Sequence, residues 1–272
     1  MILNCFEDKV AVVTGGASGL GRELCRLLAE KGAAVVVVDI DEDGAGMVAR
    51  SIVESGGDSH HVGVDVTSAE DMRTLIDETV TKYGRVDYLF NNAGAIAAGE
   101  FEDFTVDDWE KVFNVNLYGV VNGTAAAYPI MLKQGSGHIV NTASLAGLFP
   151  ITLATPYTAS KHAVVGLSHS LRAEAAGSGV RVSVACPGKI RNRMRYSADV
   201  SYDKEKTSRI LPAGVSVEKC AVKMLRGVQK NRATIFVKMS DRIMSMLYRI
   251  SPSSAIFLAG IVTQRFRNKL KS

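Results

Sequence analysis

Tyr157 and Lys161 set a phenol and an ammonium four residues apart in a stretch that reads as helix. Positions i and i+4 share one helix face, so both side chains can meet one ligand. A phenol alone has a pKa of about 10 and is a poor base near neutrality, whereas a neighbouring cation favours the phenolate and lowers that value. Upstream, Ser144 follows the apolar run 138–142, where a strand end would present its hydroxyl to a pocket. Together these groups outline a site that moves a proton. In an arbitrary chain the same spacing more often marks a tyrosine packed on a core face beside a solvated lysine, so the surrounding elements have to decide between the two.

Residues 9–21 run from a β-branched stretch into glycines and then into a helical pattern over 23–31, which reads as strand, tight turn, helix. Gly15, Gly19 and Gly21 allow a sharp turn and a close backbone approach to a pyrophosphate, whose charge suits the N–H groups at a helix start. The next apolar run, 33–39, ends in Asp39, about 20 residues beyond the glycines, where an acid can bind adenosine ribose hydroxyls. The other role for Asp39 is a helix N-cap. Further β-branched runs at 60–64, 86–90, 138–142, 180–185 and 234–237 alternate with helical patterns. That alternation predicts an α/β fold with a doubly wound, seven-stranded parallel sheet covered by helices on both faces. Its ligands would lie beyond the carboxyl ends of the strands, where Gly15, Asp39, Asn91, Ser144 and Pro187 all fall.

These residues together resemble the short-chain dehydrogenase/reductase family, and the resemblance runs over about residues 9–237. It implies a single Rossmann-type domain over 1–238, with 189–212 as a segment covering the substrate pocket. Thr14-Gly-Gly-Ala-Ser-Gly-Leu-Gly21 is similar to the family's cofactor loop, so Gly15, Ser18, Gly19, Leu20 and Gly21 are expected to bind a dinucleotide. The resemblance adds Asp39 and Ile40, the adenine-contacting pair Asp65 and Val66, and Asn92, Ala93 and Gly94 of an Asn-Asn-Ala-Gly element. It also adds Tyr157, Lys161, Pro187, Gly188, Ile190 and Asn192. Asn192 stands where relatives carry a threonine that bonds the nicotinamide carboxamide; an asparagine can donate and accept in its place. Asn116, Ser144, Tyr157 and Lys161 match the catalytic tetrad. The implied reaction is hydride transfer between an alcohol carbon and nicotinamide, with Tyr157 moving the hydroxyl proton. Lys161 would hold the nicotinamide ribose and, together with the positive nicotinamide of the oxidised cofactor, depress the Tyr157 pKa; Ser144 would bond the substrate oxygen, and Asn116 would hold a water or satisfy backbone at a helix kink.

Asp39 repels a 2′-phosphate, and neither Ile40 nor Ala17 offers a cation, so NAD is expected rather than NADP. Arg22 is either a cation for that phosphate or a solvated helix residue. The expected substrate is a hydrophobic secondary alcohol or ketone, walled by Leu145, Ala146, Leu148, Phe149, Leu153 and Ala154. Cations at Lys189, Arg191, Arg193 and Arg195 either receive an anionic substrate group or belong to a solvated loop. Two rival functions share the framework: an NADP-dependent 3-oxoacyl thioester reductase and a catalytically idle dinucleotide sensor.

The chain has 272 residues, 47% hydrophobic and 22% charged, enough to bury a large core. Four cysteines without a CxxC pair, and a start without a charged region followed by a long apolar core, fit a cytoplasmic protein. Five histidines without ligand spacing give no metal site, and a net charge of +4 gives no case for nucleic acid. The family resemblance implies a homotetramer or homodimer built through helices over 107–132 and 155–176. The extension 239–272 is apolar and then basic. Its eight-residue run 255–262 is too short for a bilayer, which needs about 20 residues. It either packs over the substrate pocket or a neighbouring subunit, or lies as an amphipathic helix on an anionic membrane surface, a peripheral contact.

Overall fold

The valine-rich runs become strands because their side chains have apolar partners on both faces. The computed structural model describes residues 5–191 and 214–271. Its seven strands are β1 (Val10–Thr14), β2 (Ala34–Asp39), β3 (Ser59–Gly63), β4 (Tyr88–Asn91), β5 (Gly137–Thr142), β6 (Val180–Ala185) and β7 (Thr234–Ile235). All are parallel, in the order β3-β2-β1-β4-β5-β6-β7. Val13, Val35 and Val37 enter one core with helices α1 (Gly19–Ala29), α2 (Glu42–Glu54) and α7 (Val217–Gln229). Val12, Val36 and Val38 enter the other, with α3 (Ala69–Tyr83) and α5 (Gly119–Gln134). The period of two thus feeds two cores from one strand, which is why these strands are apolar throughout. This is the single-domain Rossmann-like sheet the sequence predicts.

The departures are local. β7 keeps two of its four expected residues, and β3 is the half-exposed edge strand. The helix expected over 107–132 is broken into α4 (Val106–Phe113), a π-helical turn (Asn114–Tyr118) and α5, whose interior holds Pro129. The remaining helices are α6 (Thr155–Glu174), α8 (Met239–Ile250) and α9 (Pro252–Lys271). Asn192 and most of the covering segment 189–212 lie outside the described residues.

Candidate active site

Between β1 and α1 the chain turns on Gly15, which has a φ of +67° and lies so close to β4 that a Cβ there would stand 2.9 Å from Ala93 Cα. Gly21 is tighter still, since a Cβ would reach 1.9 Å from the Gly15 carbonyl oxygen. Only glycine lets α1 start this close to the turn. Ser18 is the N-cap but makes no side-chain cap bond, so the first N–H groups of α1 keep their capacity to bind an anion. Leu20 is buried under the loop, while Arg22 is exposed. One strand over, the Asp39 carboxylate accepts from Ala17 N and Asp41 N, both at 3.0 Å. It therefore fixes the glycine loop, and the N-cap of α2 is Asp41 rather than Asp39. Ile40 is exposed. An uncapped helix N-terminus with a carboxylate on the adjoining strand end fits the pyrophosphate and ribose of a dinucleotide.

The carbonyl edge of β4 carries the second part. Thr14 Oγ1 accepts from Asn92 N at 3.0 Å and Ala93 N at 3.1 Å, and Asn92 Nδ2 donates to Thr14 O at 3.1 Å. Asn91 Nδ2 donates to Asn141 Oδ1 of β5 at 2.9 Å and to Thr124 Oγ1 of α5 at 3.2 Å, which ties the sheet to that helix. Asn116, fully buried in the π turn, accepts from Ala95 N and donates to Ala95 O, each at 2.9 Å, and donates to Ser160 Oγ at 3.0 Å. Of the two roles expected for its side chain, the backbone-satisfying one is what the geometry displays. It binds the 92–95 loop to α6. At Gly94 a Cβ would lie 3.2 Å from Asn116 Oδ1 and 3.5 Å from Lys161 Nζ, so the missing side chain leaves room beside the lysine. Asp65 accepts from Thr67 N at 2.9 Å; Val66 is buried, with its carbonyl taken by Asn122.

Ser144, Tyr157 and Lys161 are brought together at the carboxyl edge of β5. Ser144 caps a short 3-10 turn (Leu145–Gly147), accepting from Ala146 N at 3.2 Å. Gly147 lets that turn lie on α6, since a Cβ there would stand 2.5 Å from Lys161 O. Lys161 Nζ, buried, donates to Thr142 O at 2.9 Å and stands 5.7 Å from the Tyr157 ring centroid. Burial brings the lysine down to about 8. Burial of the phenol pushes the Tyr157 pKa up, and a hydrogen bond with Ser144 opposes that rise. Desolvation wins because neither charge keeps its water.

Pro187 O accepts from Leu145 N at 2.8 Å, which joins the turn after β6 to the serine loop. Ile190 forms an isolated bridge with Val215. The pocket wall differs from expectation at Leu148, which packs in the core with Val164 and Val165 because the 3-10 turn points it inward. Phe149 meets Tyr248 of α8, ring centroids 5.6 Å apart. Three residues escaped the sequence reading. Ile96 joins Ala146, Ala154 and Tyr157 in one apolar cluster, and its position just past the Asn-Asn-Ala-Gly element was an available signal. Ser160 anchors Asn116, and Asp241 is buried against Gly188, where a Cβ would lie 3.1 Å from its carboxylate. Those two carried no signal, because their partners are remote in sequence.

A parallel sheet whose carboxyl edge gathers a glycine turn at a helix start, a carboxylate on the next strand end and a Ser-Tyr-Lys group has the layout of a dinucleotide-dependent oxidoreductase. The short chain dehydrogenase profile matches residues 9–202. The chain belongs to the short-chain dehydrogenase/reductase family. A cyclohexanol dehydrogenase of Acinetobacter sp. is 37% identical over 189 residues, 69% of this chain and 75% of that protein. The 3-oxoacyl-[acyl-carrier-protein] reductase FabG of Thermotoga maritima is 36% identical over 189 residues, 70% and 77%. A short chain dehydrogenase/reductase from Burkholderia phymatum, solved in complex with NAD, superposes with a TM-score of 0.83 at 31% identity, covering 90% of this chain and 94% of that one.

Proposed function

We propose that this oxidoreductase uses NAD to interconvert a hydrophobic secondary alcohol and its ketone. The observation that carries the reading is the grouping of half-buried Ser144 with buried Tyr157 and Lys161 beside an apolar wall of Ile96, Ala146 and Ala154. The cofactor preference rests on Asp39, whose carboxylate at the end of β2 would repel a 2′-phosphate while the next residue, Ile40, supplies no cation. Resemblance to a relative named for cyclohexanol agrees with a carbocyclic or similarly bulky substrate.

When bound, nicotinamide supplies or takes the hydride at the carbinol carbon. The chain supplies the rest. Gly15 to Gly21 and the start of α1 would hold the pyrophosphate, Asp39 the adenosine ribose, and Lys161 the nicotinamide ribose. Asp65 and Val66 would meet the adenine, and Pro187, Gly188, Ile190 and Asn192 the nicotinamide side. In reduction, Tyr157 Oη gives its proton to the ketone oxygen; in oxidation it takes the proton from the alcohol. Ser144 Oγ steadies both the Tyr157 hydroxyl and the substrate oxygen, where charge develops. Lys161, held by Thr142 O, keeps a positive charge near that oxygen below a pH of about 8. Asn116 fixes Ala95 and, through Ser160, the helix carrying Tyr157.

Absorbance assays with NAD and NADP across bulky secondary alcohols test the reading directly. Turnover with NAD on one class of alcohol is expected. Turnover confined to NADP and 3-oxoacyl thioesters would overturn both the cofactor and the substrate assignment.

A further inference from the structure

The C-terminal helices carry their polarity inside out. On α8 the buried side chains are Asp241 and Ser245, at 7% and 3% exposure, and Tyr248 turns inward to Phe149. Facing solvent are Ile243, Met246, Leu247 and Ile250, at 51%, 53%, 60% and 78% exposure. Their spacing of i, i+3, i+4 and i+7 puts them on one helix face. α9 repeats the pattern. Thr263 is buried and donates to Thr152 Oγ1 at 2.7 Å, and Arg267 pairs with Glu100, while Ile256, Phe257, Leu258 and Val262 are exposed.

The charge of this segment selects what covers the apolar face. Residues 239–272 contain six Lys or Arg and one acid, Asp241, for a net of +5. The whole chain is +4, so residues 1–238 sum to −1. Arg242 and Arg249 lie on the exposed side of α8 beside the apolar row. A self-complementary contact between two copies would oppose two such cationic surfaces, which repel. An anionic lipid surface meets both requirements at once, taking the apolar row into its acyl boundary and pairing the cations with headgroups. Among the described residues no single helix is long and apolar enough to cross a membrane, and α8 and α9 are bent by 120° at their junction. The bonds of Thr263 and Arg267 hold α9 along the body, an arrangement suited to lying on a surface.

We propose that α8 and α9 form a monotopic docking surface for anionic membranes. The test is flotation of the full-length protein with vesicles of phosphatidylcholine alone or with about 30 mol% phosphatidylglycerol. Binding is expected on the anionic vesicles and should weaken by about tenfold or more at high salt. Replacing the outward row (I243S, L247S, F257S, L258S) should abolish it. Neutralising cations (R242Q, R249Q, R265Q) should weaken it on anionic vesicles. Both variants should keep their unfolding midpoint and their turnover on a water-soluble alcohol. Failure of the wild-type protein to float with anionic vesicles overturns the proposal, and that measurement needs no variant to fold. So does unchanged flotation of the apolar variant, or its conversion to a smaller oligomer with flotation intact, which would make the row an interface between copies.

Discussion

At the scale of single residues, Tyr157 illustrates how burial and charge compete over one proton. Its phenol is pushed up by burial and pulled back by Ser144, so near neutrality it holds its proton and stands ready as an acid. Ketone reduction should therefore be flat through neutral pH and fall on the alkaline side, while alcohol oxidation should climb with pH from neutrality to beyond the ordinary phenol value of 10, because it needs the phenolate. An oxidation rate that drops over that interval would remove Tyr157 as the base. The substitution Tyr157→Phe should lower kcat by about 10³-fold, within the range for general acid–base catalysis, and leave the NAD dissociation constant within a few-fold. Calorimetric titration with NAD, alongside steady-state rates, reads both quantities. Lys161 exposes the cost of the same site. Its folded pKa of about 8 lies below the unfolded 10.5, so between those values the unfolded chain holds more protons and stability rises with pH. Below about pH 8 the full penalty applies, on the order of 3 kcal/mol. Lys161→Met should thus raise Tm at neutral pH while abolishing turnover; a lower Tm would mean that the bond to Thr142 O outweighs the desolvation.

Elements act here by holding loops rather than by presenting side chains to solvent. The π turn that interrupts α4 and α5 lets Asn116 point at the 92–95 loop and satisfy both backbone groups of Ala95. Asn116→Ala would leave a buried N–H and carbonyl without partners, a loss of about 2–4 kcal/mol. Chemical denaturation should show that loss, with kcat reduced as well because Ser160 and Tyr157 ride on the helix the asparagine anchors. The strands themselves were legible as β-branched runs that alternate with helical patterns. The break at 114–118 was not, because a π turn preserves helical spacing on either side and leaves the apolar pattern intact.

For the whole molecule, we propose assembly into a homodimer or homotetramer, on the family resemblance and the exposed apolar side chains Val106 of α4, Tyr118 of the π turn and Leu132 of α5. Light scattering is expected to return two or four times the 29.1 kDa chain mass. A mass equal to one chain, constant across concentration, would contradict this. The asymmetry of charge, −1 for residues 1–238 against +5 for the extension, is likewise a property of the molecule rather than of any element.

The sequence by itself determined the strand count, the α/β class and the short-range signatures. Periodicity, glycine placement and the i, i+4 pairing of Tyr157 with Lys161 are local, and local sterics act within a few residues. Strand order, with β1 between β2 and β4, was decided only when long-range contacts formed. The same holds for the Asn116 bonds to Ala95, the burial of Asp241 against Gly188 and the outward apolar row of α8. Each depends on which surface a residue meets, and the 3.6-residue period of a helix is the same whether its apolar stripe faces the core or the solvent. The Tyr157 pKa belongs with them, since its direction was set by burial, which no spacing records.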